Sequence, residues 1–459
     1  MQKLNEICSC ESKANSETEF VGIRCEKTKE GGALETSIIF PLGYFKDDTA
    51  LRELPEEELR ECAVNLFTVL SDPSLQEQIH QDSSISTFAE EHGESEFPIV
   101  SYLNVIRNFL DFGYLDEKEI LYKKGANGKI NWGRTIKAVQ PVITEDAQNL
   151  VYLDFIARKV SYNEDTLITQ VHKFCVHDAL VKLGFLFGID PSEESQLDFD
   201  YDLFCNAIHS KLAKTFNDRD LRLLADLARI VEYLAGHKTE DGKIANDFYF
   251  GVNKFAPVWE AMVDKIFGKL PQGVAKDKFN PHCEWDLCSG VRGYENPNYA
   301  MRPDTIMWDG DDKRLYVLDA KYYKFGMTGS ASDLPSSGSI CKQIAYAEYV
   351  ERLVLQKEIP ACVGTTVNAI YNAFLLPYCF DADNSQLPPD DGFETRPCKM
   401  RFVGYCHGNW KNLDARPGEG DYRPYHRIAG ILLDVKSVMQ NYCALGEAQK
   451  TLAELLPIK

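Results

Sequence analysis

A Walker A motif, G-x-x-x-x-G-K-[ST], occurs nowhere in the 459 residues, so nucleoside triphosphate hydrolysis of that type has no seat in this chain. No apolar run approaches the ~20 residues needed to cross a bilayer. The polar, acidic stretch Met1 to Glu19 lacks the basic-then-apolar order of a secretory signal, and the expectation is a cytoplasmic protein with no membrane partner. Paired C-x2-C spacings are missing as well, which removes zinc ribbons and fingers of ordinary pattern. Positive charge is scarce: 50 Lys and Arg against 70 Asp and Glu leave a formal charge of −20. That sign is wrong for a chain that holds nucleic acid alone by neutralising phosphates. Either a local basic surface escapes the average, or another molecule supplies most of the grip.

The 14 cysteines are scattered along the chain, and four of them fall in two groupings with metal-ligating residue types, His282-Cys283 with Cys288 and Cys398 with Cys406-His407. These would have to meet in space to form a site. Reduced thiols buried in apolar stretches, as at Cys62, Cys175 and Cys443, are the better reading. His172 and His177 are five apart, off the i, i+4 spacing of a ligand pair, and read as structural.

Phe20 to Ile23 and Ser37 to Phe40 read as strands. From Pro55 a helix is expected, with Glu56, Glu57 and Glu58 suiting the dipole of its first turn and Leu59, Ala63, Leu66, Phe67 and Leu70 at helical spacing. Val100, Leu103, Ile106 and Leu110 mark a second helix. Longer ones are expected over 163–188, with Leu167, Val171 and Phe174 on one face, and from about Asp218 to Gly236, with a stripe of Leu224, Leu227, Val231 and Leu234. The polar stretch Leu234 to Lys243 is the best boundary. The organisation expected is an α+β N-terminal domain over 1–160, a helical connecting region over 161–243, and an α/β domain over 244–459. Residues 121–144 stand apart, holding Lys123, Lys124, Lys129, Arg134 and Lys137 with Trp132 and no acidic residue. Gly125, Asn127 and Gly128 place a turn there. The segment reads either as a solvated hairpin or as a contact surface for nucleic acid or an acidic partner, with Lys129, Trp132 and Arg134 as candidate contacts.

The chemistry gathers past the boundary. A helix from about Phe255 to Phe267 buries Trp259, Met262, Val263 and Ile266 and carries Glu260 beside that face. Tyr299 to Trp308 reads as a strand, Asp309 to Asp312 as a turn, and Arg314 to Tyr323 as the returning strand. Aspartate is disfavoured inside strands, yet each strand holds one, Asp304 and Asp319, and Lys321 projects from the same face as Asp319. A turn centred on Asp311-Asp312 puts the two aspartates directly opposite; a centre one residue earlier makes them diagonal neighbours. Carboxylates so close repel unless a divalent cation such as Mg2+ sits between them. Such an ion lowers the pKa of bound water and stabilises charge on a phosphate. Lys321 is then placed to orient the attacking water, help deprotonate it, or neutralise the phosphate. A helix from about Ser339 with Gln343 and Tyr346 and a strand from Ala369 to Leu376 follow. A second D-x-K, Asp434-Val435-Lys436, has Pro389-Asp390 upstream, but the turn-formers between them leave no single hairpin.

Helix, strand, strand, helix, strand with Pro303-Asp304 and Asp319-Ala320-Lys321 resembles the PD-(D/E)xK nuclease superfamily. The resemblance implies a mixed-sheet core, Glu260 as a further metal ligand beside Asp304 and Asp319, and Gln343 with Tyr346 as an additional catalytic element, one residue shorter than the commoner Q-x3-Y. The blocks Gly128-Lys129-Ile130-Asn131-Trp132-Gly133-Arg134-Thr135-Ile136 and Val171-His172-Lys173-Phe174-Cys175-Val176 resemble LlaJI-type restriction endonucleases. In those systems the nuclease polypeptide is similar to the McrC subunit of modification-dependent restriction and works with an AAA+ GTPase of McrB type. The function implied is a Mg2+-dependent endonuclease subunit acting on duplex DNA, with any nucleotide bound by the partner. A self-sufficient type II restriction enzyme and a non-catalytic adaptor that stimulates the GTPase are the alternatives.

Overall fold

The computed structural model describes residues 8–12, 20–27, 34–75, 97–115, 117–125, 128–143, 150–163, 166–191, 197–237, 244–290, 292–295, 301–359, 367–380, 398–413, 423–442 and 446–456. Cys443, Pro389-Asp390 and the boundary residues 238–243 lie outside them.

The chain opens with strands β1 (Cys8–Ser12), β2 (Val21–Lys27) and β3 (Leu34–Phe40), and helix α1 (Glu56–Leu70) follows. The acidic first turn of α1 is in place, and Leu59, Ala63, Leu66, Phe67 and Leu70 are buried as the spacing required.

Phe97–Asn246 is a compact unit of its own. It comprises α2 (Ile99–Phe112), β4 (Glu117–Lys124), β5 (Lys129–Ile130), α3 (Trp132–Ala138), β6 (Ile156–Asn163), α4 (Leu167–Leu183), α5 (Tyr201–Leu212) and α6 (Asp218–Gly236). The buried face of α2 is Ile99, Tyr102, Leu103, Val105 and Ile106, whereas Val100 and Leu110 are exposed, so the expected stripe is rotated. The expected start of α4 at Asn163 is corrected too: Asn163 ends β6, and Thr166 caps the helix by accepting from Thr169 N. His172 is fully buried, its Nδ1 accepting from Leu115 N at 3.0 Å. Residues 121–144 do not close a two-stranded hairpin: β4 and β5 both pair with β6, giving the order β4-β6-β5, and α3 starts at Trp132. Gly128 belongs at that crossing, since it has φ +126° and a Cβ there would lie 2.5 Å from Arg158 O.

The second unit joins residues 3–96 to 247–459. Its later elements are β7 (Phe248–Val252), α7 (Ala256–Phe267), β8 (Thr305–Asp309), β9 (Arg314–Ala320), α8 (Ser337–Leu355), β10 (Ala369–Tyr378), β11 (Met400–Cys406), β12 (Ile428–Asp434) and α9 (Val435–Asn441). The division therefore differs from the one expected at 160 and 243. Strand β7 completes the N-terminal sheet, order β1-β3-β2-β7, by pairing antiparallel with β2. Leu42 N donates to Tyr322 Oη at 2.5 Å, and Asp72 accepts from Lys265 at 3.3 Å and from Tyr442 at 2.7 Å. Residue 160 falls inside β6, where a cut would break its ladder with β4.

The C-terminal part is a mixed α/β layer structure. Its five-stranded sheet has the order β8-β9-β10-β12-β11, with β9, β10 and β12 parallel and both outer strands antiparallel to their neighbours. Leu315 and Val317 share one face of β9 and join Ile306, Ile370, Tyr346, Ala347, Val350 and Leu353 in a single core beneath α8. Trp259 of α7 donates from Nε1 to Leu375 O at 3.4 Å. The free edge of β8 is covered by Lys269, which accepts from Trp308 N and donates to Ile306 O.

Candidate active site

Strand β9 alternates, so Asp319 and Lys321 continue the face that carries Leu315 and Val317, at the end where the apolar core stops. The hairpin register pairs Thr305 with Leu318 and Asp309 with Arg314. The turn therefore centres on Asp311-Asp312, and one further step in the same register sets Asp304 across from Asp319. Asp304 itself lies just before β8, and its Oδ2 accepts from Ala320 N at 2.9 Å, which ties it to the opposite strand.

Lys321 closes the cluster. Its Nζ is 2.6 Å from Asp319 Oδ2 and 3.9 Å from Asp304 Oδ2, and the Asp319 side chain is only 3% exposed. Burial pushes the Asp304 carboxyl well above the usual carboxylate range, and the charges of Asp319 and Glu260 push the same way against Lys321. Burial disfavours the Lys321 ammonium, but Asp319 and Asp304 outweigh it and hold the residue above its ordinary value, in the charged form. Glu260, half-buried on α7, is thus within electrostatic reach of both.

The expected helix residues part company. Gln343 is 1% exposed and turned into the sheet: its Nε2 donates to Val317 O at 2.8 Å, and its backbone carbonyl accepts from Asn372. These contacts brace β9 against α8. Tyr346 is fully buried, and its hydroxyl accepts from Arg302 N at 3.1 Å, two residues before Asp304. Burial holds this phenol above its usual range, even with Lys342 beside it.

Sequence reasoning missed four residues around the cluster. Lys276 donates to Asp304 O at 2.6 Å and pairs with Asp264 at 2.7 Å, while Thr305 Oγ1 donates to Asp264 at 3.0 Å. Asp264 and Lys276 thereby clamp the backbone on which Asp304 rides, and no spacing rule links residues so far apart. Lys342, exposed on α8, lies 5.5 Å from the Tyr346 ring centroid. The i, i+4 spacing of Lys342 and Tyr346 was its one available signal.

Among the described residues no group of three or more His, Cys, Asp or Glu is assembled as a metal site. What the geometry offers a cation is the pair Asp304 and Asp319, whose neighbouring hard oxygens could hold a divalent ion. Cys283 and Cys288 are exposed, contrary to the expectation of burial, whereas Cys398 is buried and its thiol is pushed up to about 12 by burial. Lys129, Trp132 and Arg134 are exposed in the inserted unit; Arg134 lies over the Tyr122 ring at 3.9 Å, and Trp132 meets Phe155 edge-on. Asp434 is not catalytic in geometry: Oδ2 accepts from Ser437 N at 2.9 Å as the cap of α9, and Oδ1 accepts from Phe380 N at 3.2 Å.

The C-terminal half is thus a mixed α/β sheet bearing two facing aspartates and a lysine at one strand end. The profile of the LlaJI restriction endonuclease family matches residues 52–387, and the chain belongs to that family. It is similar to the type II restriction enzyme BsuMI component YdjA of Bacillus subtilis (strain 168), 25% identical over 274 residues. That match takes in 58% of this chain and 55% of the relative, so it spans about half the relative's length. Among solved structures, a chain of the refined half-complex of Thermococcus gammatolerans McrB AAA+ hexamers with bound McrC aligns at a TM-score of 0.32 and 13% identity, over 95% of this chain and 83% of that one. No helix of the described residues is long and apolar enough to cross a membrane.

Proposed function

We propose that this chain is the DNA-cleaving subunit of a restriction system, with a PD-(D/E)xK core that hydrolyses phosphodiester bonds in duplex DNA. The observation that carries the reading is the Asp304, Asp319 and Lys321 cluster, which the hairpin register sets at one strand end. Asp304 and Asp319, with Glu260 beside them, would hold a divalent cation that when bound activates water and stabilises charge on phosphoryl oxygens. Lys321, kept charged by both aspartates, holds their carboxylates in place and opposes negative charge arriving with the phosphate. Asp264 and Lys276 fix the peptide of Asp304, and Tyr346 fixes Arg302, so the carboxylate has little freedom to swing away.

Asp304→Ala, Asp319→Ala and Lys321→Ala should each abolish cleavage of plasmid DNA while the protein still folds. Because all three act on one centre, the double variants should lose little more than the singles. EDTA should stop the unaltered protein. Cleavage that survives in Asp319→Ala with added Mg2+ would remove the assignment.

The −20 charge supports a division of labour in which an AAA+ GTPase of McrB type supplies much of the grip on DNA. The exposed Lys129, Trp132 and Arg134 are the candidate contact with that partner or with DNA.

A further inference from the structure

We propose that Lys342 is a second cationic residue of the active site, contacting a backbone phosphate of the strand being cleaved. The inference rests on the nuclease reading and adds a substrate contact to it. Four features carry it.

The first is placement. Asp319 and Lys321 lie on the sheet face covered by α8, because they continue the Leu315 and Val317 row that packs on Tyr346 and Ala347. Lys342 and Tyr346, four apart, share one side of that helix, and Lys342 stands 5.5 Å from the Tyr346 ring. Tyr346 in turn grips Arg302 N, on the segment that carries Asp304. The second feature is orientation. Gln343 points into the sheet toward Val317 O, whereas Lys342, on the same turn of the helix, is exposed to solvent.

The third is availability. Lys321 is engaged with both aspartates and its side chain is 17% exposed. Lys342 is exposed, and the ion pairs of the described residues within 4 Å include none for it. The fourth is field. Burial disfavours the Lys342 ammonium, but Tyr346 beside it and then the charges of Asp319 and Asp304 favour it and hold the residue above its ordinary value. A site with Asp304, Asp319 and Glu260 against Lys321 repels phosphate, and a second, exposed lysine on the helix that covers this face offsets that repulsion where the backbone would enter.

The test is binding of the full-length protein to a labelled duplex oligonucleotide in EDTA, followed by anisotropy from about 20 to about 150 mM KCl. Lys342→Ala should weaken binding and lower the slope of log affinity against log salt by about 1, the signature of one lost phosphate contact. Lys342→Arg should restore the slope. Wild type and Lys342→Ala that cannot be told apart at every salt concentration overturn the inference, whatever the absolute affinity. So does a Lys342→Arg protein that behaves like Lys342→Ala. Asp319→Ala, assayed for cleavage in parallel, separates the two levels: surviving cleavage defeats the nuclease reading, and an unchanged slope defeats only the role of Lys342.

Discussion

Two D-x-K triplets compete in this chain, and one carboxylate separates them. Asp434 spends both oxygens on backbone N–H groups, of Ser437 and Phe380, whereas Asp319 has its Oδ2 on Lys321. Lys436→Ala should therefore leave DNA cleavage at the wild-type level. Asp434→Ala should instead lower the unfolding free energy by about 1–2 kcal/mol through loss of the α9 cap, measurable by urea denaturation. Gln343→Ala should act in the same way, since it removes a buried donor to Val317 O: stability falls by about 1–3 kcal/mol and cleavage falls only with the folded fraction. Rates that drop tenfold in fully folded Gln343→Ala would return this residue to the chemistry. The facing aspartates were legible in the sequence because period-2 alternation and a four-residue turn leave few registers. Asp264 and Lys276 were not, because their meeting with Asp304 depends on how α7 and the loop after it pack, which no local pattern encodes.

Helix faces were legible where the apolar stripe is broad, as in α1 and α6, and shifted in α2, where Tyr102 and Val105 took the place expected of Val100 and Leu110. The pairing of β2 with β7 was not legible at all. Gly22 and Gly251 face each other there, and a Cβ on Gly22 would lie 2.2 Å from Phe250 O. Gly22→Ala should cost about 1–3 kcal/mol by forcing the strands apart, seen as a lower melting temperature. In the inserted unit, burial holds His172 down to about 4, and its Nδ1 is occupied by Leu115 N–H. The folded-state value lies below the ordinary 6.5, so this residue's contribution is complete above about pH 6.5 and is lost as the pH falls through 4. Up to about 3 kcal/mol is involved. His172→Gln, which keeps an acceptor for Leu115 N–H, should flatten the pH dependence of hydrogen exchange in α4; an unchanged profile would assign it to other groups.

At the scale of the whole molecule, the excess of acid over base predicts weak binding to duplex DNA at physiological salt and little cleavage until an AAA+ partner and GTP are added. Site-specific cutting by the isolated chain would favour a self-sufficient restriction enzyme. Lys129→Glu should reduce partner binding or GTPase stimulation with the nuclease core unaffected, and normal complex formation would release β5 from that role. The division into units carries one more implication, for synthesis. Strand β2 emerges from the ribosome roughly 220 positions ahead of β7, its hydrogen-bonding neighbour. At about 5–20 residues per second that is a wait of about 10–45 s with one side of β2 unsatisfied. The intervening unit can fold during the delay, while the first strands stand open to passing chains. A chaperone that shields β2 should raise the yield of this protein most when translation is slow.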